Sequence, residues 1–186
     1  MSNTEDRRVR MTKKILKDAL IEIMHTKPLY EISIKKICET ADVNRSTFYH
    51  HYQSSVELYD DIINDIAADF NAIIEKNRDK SNAQKVITAE MLSYIEEKRE
   101  LFFVILSDKG NISIGERLST IVSRFLGADN NSVLATYCAQ FISAGVANIL
   151  WLWLNDENRL APDEVADLLV NIITHGVKRA IMFSDK

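Results

Sequence analysis

Val43-Asn44-Arg45-Ser46-Thr47-Phe48-Tyr49 is the stretch on which the reading of this chain turns. Asn44 is a residue type that caps helices, because its side-chain oxygen meets N–H groups left open at a helix start. Asp42, just before, tolerates the left-handed backbone of a tight turn at less cost than most residues. Val43 and Phe48 are the apolar positions that pack inward. Arg45, Ser46, Thr47 and Tyr49 are left to face outward. The stretch predicts a turn followed by a short helix ending near His51.

Upstream, Ser33 is placed to cap another short helix, Ile34 to Thr40, with Ile34, Ile37 and Cys38 inward. Before it, Ile15, Leu16, Ala19, Leu20, Ile23 and Met24 recur at helical spacing between charged residues, which predicts an amphipathic helix from about Arg8 to His25. Pro28 stops its continuation. Three helices in such a short span, the last two very short, form the pattern of a helix-turn-helix unit.

Downstream, Ser54-Ser55-Val56-Glu57 reads as a capping box opening a long helix with Leu58, Tyr59, Ile62, Ile63, Ile66, Phe70, Ile73 and Ile74 on one stripe. Further helices are predicted over about Ala83 to Glu97, around Leu101 to Leu106, and through Ile114, Leu118, Ile121, Val122 and Phe125. Two long apolar helices follow, about Ser132 to Asn155 and Pro162 to Phe183. Pro162 suits a first helical position, and Asp163 and Glu164 suit the positive end of the helix dipole. No segment alternates with period two. The expected fold is all-α, about nine helices, in two domains: residues 1–53 and residues 54–186.

Charge divides along the same boundary. The chain carries a net −4 overall, yet residues 1–53 hold +3 and residues 54–186 hold −7. A basic head on an acidic body suits a protein that presents one face to a polyanion. The longest nearly continuous apolar stretch, Phe141 to Leu154, falls short of the roughly 20 residues of a membrane helix. The N-terminus is polar and charged, so the expectation is a cytoplasmic protein with no membrane partner. Cys38 and Cys138 stand apart from other ligating residues and read as plain thiols. No metal or cofactor is expected.

Residues 10–59 resemble the DNA-binding domain of the TetR/AcrR family of bacterial transcriptional regulators. The resemblance rests on Ser33-Ile34-Lys35-Lys36-Ile37, on Ala41-Asp42-Val43, and on Asn44 to Tyr52 with its Tyr49-His50-His51-Tyr52 cluster. It implies a three-helix head whose third helix enters the major groove of double-stranded operator DNA. Arg45 then becomes the residue for base readout, since its fork matches guanine. Asn44, Ser46 and Thr47 lie beside it, and Tyr49 and His50 take phosphate contacts. Ser33 and Lys35 are further phosphate contacts from the second helix. The family commonly has lysine where this chain has Ser55, which implies one phosphate partner fewer.

For the body, the resemblance implies a homodimer and a small apolar or aromatic effector. The dimer surface is expected on the last two helices, at Gly145, Trp153, Val165, Leu169, Ile172 and Gly176. The two mid-helix glycines each cost about 1 kcal/mol relative to alanine, which close helix approach would explain. The effector pocket is expected to use Tyr94, Phe103, Phe125, Tyr137, Phe141 and Asn148. Trp151 and Trp153 point about 200° apart on one helix and cannot line one pocket together. The expected function is a transcriptional repressor released from a palindromic operator by its effector. The alternative is a regulator or activator controlled by a protein partner.

An enzyme finds little support. The spacing of Gly110 and Gly115 matches a phosphate loop, but Glu116-Arg117 replaces the Lys and Ser/Thr that such a loop needs. His50 and His51 are adjacent and diverge on a helix, a poor metal pair.

Overall fold

The structure, a computed structural model, describes residues 2–107 and 133–177. All regular structure among them is helical: α1 (Ser2–Met24), α2 (Ile34–Thr40), α3 (Arg45–His51), α4 (Ser55–Asn77), α5 (Ala83–Glu97), α6 (Arg99–Ser107), α7 (Val133–Asn155) and α8 (Pro162–Asn171). A single 3₁₀ turn at Leu29–Glu31 joins α1 to α2, and α8 runs on into a π-helical turn at Ile172–Val177. The helix expected through Ile114 to Phe125 lies outside the described residues. So does the end of the last helix, expected to reach Phe183.

The helices start and stop for local reasons. Ser33 accepts the Lys36 N–H at 3.3 Å and opens α2. Ser54 accepts the Glu57 N–H at 3.1 Å and opens α4 as expected, but Glu57 reaches one residue past the cap, to the Gln53 N–H at 2.6 Å, so the expected capping box is only half formed. Glu164 reaches back to the cap residue itself, accepting the Ala161 N–H at 2.9 Å, with Pro162 at the first helical position of α8. Asn44 departs from expectation. It holds the cap position of α3 in extended conformation, but its side chain makes no capping bond. α1 begins at Ser2, earlier than the apolar spacing indicated.

The chain separates into two compact units, residues 1–71 and 72–186, and the boundary falls within α4. The segment 1–53 lies wholly in the first. In that unit Leu16, Leu20, Ile37, Phe48, Leu58 and Tyr59 are fully enclosed. Four helices, α1 to α4, supply them, so the short helices α2 and α3 draw their stability from packing.

In the second unit α5 packs against α8, and α6 against α7. Val165, Ala166 and Leu169 face inward from α8, and Ile87, Leu92 and Ile95 from α5. Lys85 pairs with Asp167 at 2.7 Å and Arg159 with Glu96 at 3.1 Å. The Arg99 guanidinium donates twice to the Leu154 carbonyl, at 2.7 and 3.1 Å, meeting an open acceptor at the end of α7.

α7 is apolar on both sides, and the chain covers one of them. Ala139, Ile142, Leu150, Trp153 and Leu154 are buried, whereas Val133, Tyr137, Phe141 and Leu152 are exposed on the opposite side. The stretch Thr136–Asn155 has the length and apolarity of a membrane-crossing helix, longer than the run read from sequence, yet a third of it is buried within the protomer.

Candidate nucleic-acid interface

The turn between α2 and α3 is built on Asp42, whose φ of 52° is the left-handed conformation expected there. The Val43 N–H donates to the Cys38 carbonyl at 3.0 Å and closes the turn over the end of α2. Cys38 is small and buried, which lets α3 pass close by. Burial raises its thiol pKa, partly offset by the Arg45 charge, so it stays protonated and packs as an apolar group.

Phe48 anchors α3. It has no exposed surface, and it meets Tyr49 edge-on at 5.8 Å and Tyr52 at 5.9 Å between ring centroids. With Phe48 inside, the remaining side chains of the helix are distributed as the sequence indicated. Asn44, Arg45, Ser46, Tyr49 and His50 are exposed, and Thr47 is half-buried. Tyr49 shows 58% of its surface, a large amount for an aromatic residue beside a core. Because the Asn44 amide makes no cap, it stands open beside Arg45 at the start of the helix.

The two second-helix candidates are in different states. Lys35 is exposed and 3.7 Å from Glu39, an open surface pair that a phosphate would outcompete. Ser33 is exposed, but its oxygen already accepts the Lys36 N–H; its hydroxyl hydrogen remains to donate. Further cations line an open crevice on α1: Arg7, Arg8, Arg10 and Lys14, around Met11.

His50 and His51 stack edge-on at 5.0 Å. Burial, together with the His50 and Lys13 charges, lowers the His51 pKa below 6.5 and favours its neutral ring. Among the described residues no three His, Cys, Asp or Glu side chains gather as a metal site.

Sequence reasoning missed the group that holds α3 from behind: Tyr52 hydrogen-bonded to Asp61, with Lys13 and Lys17 beside it. Separations of nine to 48 residues hid it.

The body residues sort differently from expectation. Trp153, Val165 and Leu169, expected at the dimer surface, are buried inside the protomer, with the Trp153 indole donating to the Leu160 carbonyl at 2.8 Å. Gly145 and Ile172 are exposed; Gly176 lies in the π-helical turn. Tyr137 (68% exposed), Phe141 (73%) and Asn148, expected in an enclosed pocket, instead share the open face of α7 with Gly145. A Cβ at Gly145 would meet nothing within 4 Å. Tyr94 and Phe103 are half-buried, Tyr94 edge-on to Phe102 at 5.9 Å and Phe103 tilted over Trp151 at 5.0 Å. Phe125 lies outside the described residues.

Comparison with known proteins agrees with this architecture. A TetR-type family described as a transcriptional regulator C-terminal region matches residues 81–175. The transcriptional activator DhaS of the dhaKLM operon in Lactococcus lactis is 30% identical over 89 residues, 48% of this chain and 46% of DhaS. The uncharacterized helix-turn-helix regulator YxbF of Bacillus subtilis is 21% identical over 171 residues, 86% of this chain and 44% of YxbF. The aligned part thus spans less than half the length of either relative. In fold, the chain is similar to NalD of Pseudomonas aeruginosa, the secondary repressor of the MexAB-OprM multidrug efflux pump. The TM-score is 0.66 at 17% identity, covering 91% of this chain and 96% of NalD.

Proposed function

Because this chain belongs to the TetR/AcrR family of transcriptional regulators, we propose that it is a cytoplasmic, homodimeric repressor that a small effector releases from a palindromic operator. Residues 1–53 are the reading domain and residues 54–186 the regulatory and dimerisation domain. The observation that carries the reading is the outward face of α3, where Asn44, Arg45, Ser46, Tyr49 and His50 stand exposed on a helix pinned by Phe48.

Arg45 reads a base edge, and a guanine pair is the natural match for its fork. Asn44, Ser46 and Thr47 flank that contact. Tyr49, His50, Ser33 and Lys35 hold phosphates and set the register. One head reads a short sequence, so two heads on a dimer reading two half-sites supply operator selectivity. The open apolar face of α7, with Leu168 of α8 and Ile172 of the π-helical turn, supports the dimer. Gly145 on that face admits a close approach. For the effector, the half-buried Tyr94 and Phe103 are the aromatic candidates that remain, and the ligand class is small and apolar or aromatic.

Selection of bound fragments from genomic DNA by the purified protein tests the reading. The expected product is a palindrome with half-sites one helical turn apart or a multiple of it. Arg45→Ala should then weaken operator binding by about 1–3 kcal/mol and relax preference at one base pair. Equal retention of operator and scrambled DNA by wild type and variant would refute base readout.

A second reading is an activator controlled by a protein partner; that DhaS is a transcriptional activator favours the activating half of it. Tyr137 and Phe141 would then receive the partner. A dimer that persists with those residues replaced by charged ones, together with loss of activation, would favour it.

A further inference from the structure

The contacts behind α3 converge on one carboxylate. Asp61 of α4 accepts the Tyr52 hydroxyl at 2.7 Å and is 3.0 Å from the Lys17 ammonium and 3.4 Å from that of Lys13. Lys17 also pairs with Asp65. Partial burial works against a charge on Asp61, but the hydrogen bonds from Tyr52 and Lys17 and the two lysine charges outweigh it and keep the carboxyl ionised. A single oxygen therefore ties together α1, α4 and the residue that ends α3.

Tyr52 is that residue. Its N–H donates to the Phe48 carbonyl at 2.9 Å, closing the last turn of α3, and its ring is 3% exposed against Phe48. The Lys13 ammonium lies over the ring, 5.2 Å from its centroid. α3 has two turns, too few to hold a pose alone. Phe48 and the Tyr52 ring set how deep the helix sits, but apolar contact is non-directional and leaves a small pivot open. A directional bond four residues further on removes the pivot. Phenylalanine would fill the same space without that bond.

We propose that Tyr52 and Asp61 are positioning residues for operator recognition: their hydrogen bond locks the C-terminal end of α3 to α4 and sets the angle at which α3 presents Arg45. The inference rests on the DNA-reading function proposed above. Base readout depends on that angle, since a bidentate contact fails with small misalignment. Attraction to phosphates depends on charge and tolerates a tilt.

The test compares wild type, Tyr52→Phe, Asp61→Ala and the double variant on the selected operator and on a scrambled duplex of equal length at one salt concentration. Circular dichroism confirms that each is folded. Tyr52→Phe keeps the net charge and the packing, so it carries the test if Asp61→Ala unfolds. The expected result is operator affinity down about tenfold in Tyr52→Phe, the scale of one lost hydrogen bond to a charged group, with scrambled binding unchanged. In the Asp61→Ala background, where the Tyr52 hydroxyl has lost its acceptor, Tyr52→Phe should add nothing. An unchanged ratio of operator to scrambled binding in Tyr52→Phe, or an equal loss on both, overturns the proposal while the DNA-reading function stands. A wild-type ratio near one overturns both.

Discussion

The head and the body bury their apolar residues by different rules. In residues 1–71 the apolar positions are mostly turned inward, and the most exposed aromatic ring on α3, Tyr49, has a polar end suited to a phosphate. In residues 72–186, α7 carries apolar residues on two opposite sides and buries one. A helix apolar all round needs a cover on each side. Among the described residues none covers Tyr137, Phe141 and Leu152. The head thus turns most of its apolar residues inward, with Met11, Tyr30, Tyr49 and Val56 exposed, whereas the body keeps an apolar face for which a second copy is the proposed occupant. An amphipathic pattern reveals the inside of a protomer, and it cannot distinguish a core from an interface.

The largest effects should come from confusing those two kinds of apolar residue. Phe48→Ala and Trp153→Ala each empty an enclosed site, and each should cost about 3–5 kcal/mol of stability in chemical denaturation. Phe141→Ala, although also aromatic and on the same helix as Trp153, should leave the isolated protomer's stability within about 0.5 kcal/mol. If Trp153→Ala proved harmless to the fold and Phe141→Ala severe, the two sides of α7 would have to be exchanged.

Next in size is association. Phe141→Glu should weaken the dimer by about 2–4 kcal/mol, the range of a central interface anchor, read as a shift to monomer in sedimentation equilibrium. A dimer of unchanged strength would remove α7 from the interface and leave the body's open face without its proposed occupant.

Caps give a smaller contrast within the head. Ser33→Ala removes a made hydrogen bond and should cost about 1 kcal/mol. Asn44→Ala removes none and should alter thermal stability less, while still weakening operator binding. Equal destabilisation by both would mean that Asn44 caps α3 after all.

The smallest effect expected is on pH. The His51 pKa is lowered in the folded head, first by burial and then by the His50 and Lys13 charges. The unfolded chain therefore takes up the proton first, and stability is lost as pH falls from the ordinary value of 6.5 through the folded one. Melting temperature should drop on going from pH 7.5 to 5.5, and His51→Gln should flatten that part of the profile. An identical slope in the variant would assign the loss to other groups.

The head was legible in sequence because its signals are local. Ser33 and Ser54 cap helices a few residues away, Asp42 takes the left-handed turn, and Phe48 sits at the inward position of a two-turn helix. Each needs only its neighbours along the chain. Asn44 is the exception: its residue type suited a cap, and the side chain stayed free. In the body the bounds of α5, Ala83–Glu97, and the start of α8 at Pro162 were equally readable. The allocation of faces was not. Trp153, Val165 and Leu169 looked like interface and lie inside the protomer, while Tyr137 and Phe141 looked like pocket lining and lie outside.

By itself the sequence determined an all-helical chain, a helix-turn-helix head with Val43 to Tyr49 at its centre, and the outward set around Arg45. These follow from backbone capping and a period of 3.6, which act over a single turn. Only the tertiary structure decided which side of α7 is covered and that Tyr52, Asp61, Lys13 and Lys17 meet. Burial of one face against another and ion pairing across 48 residues are properties of packed helices, and no pattern along one helix contains them.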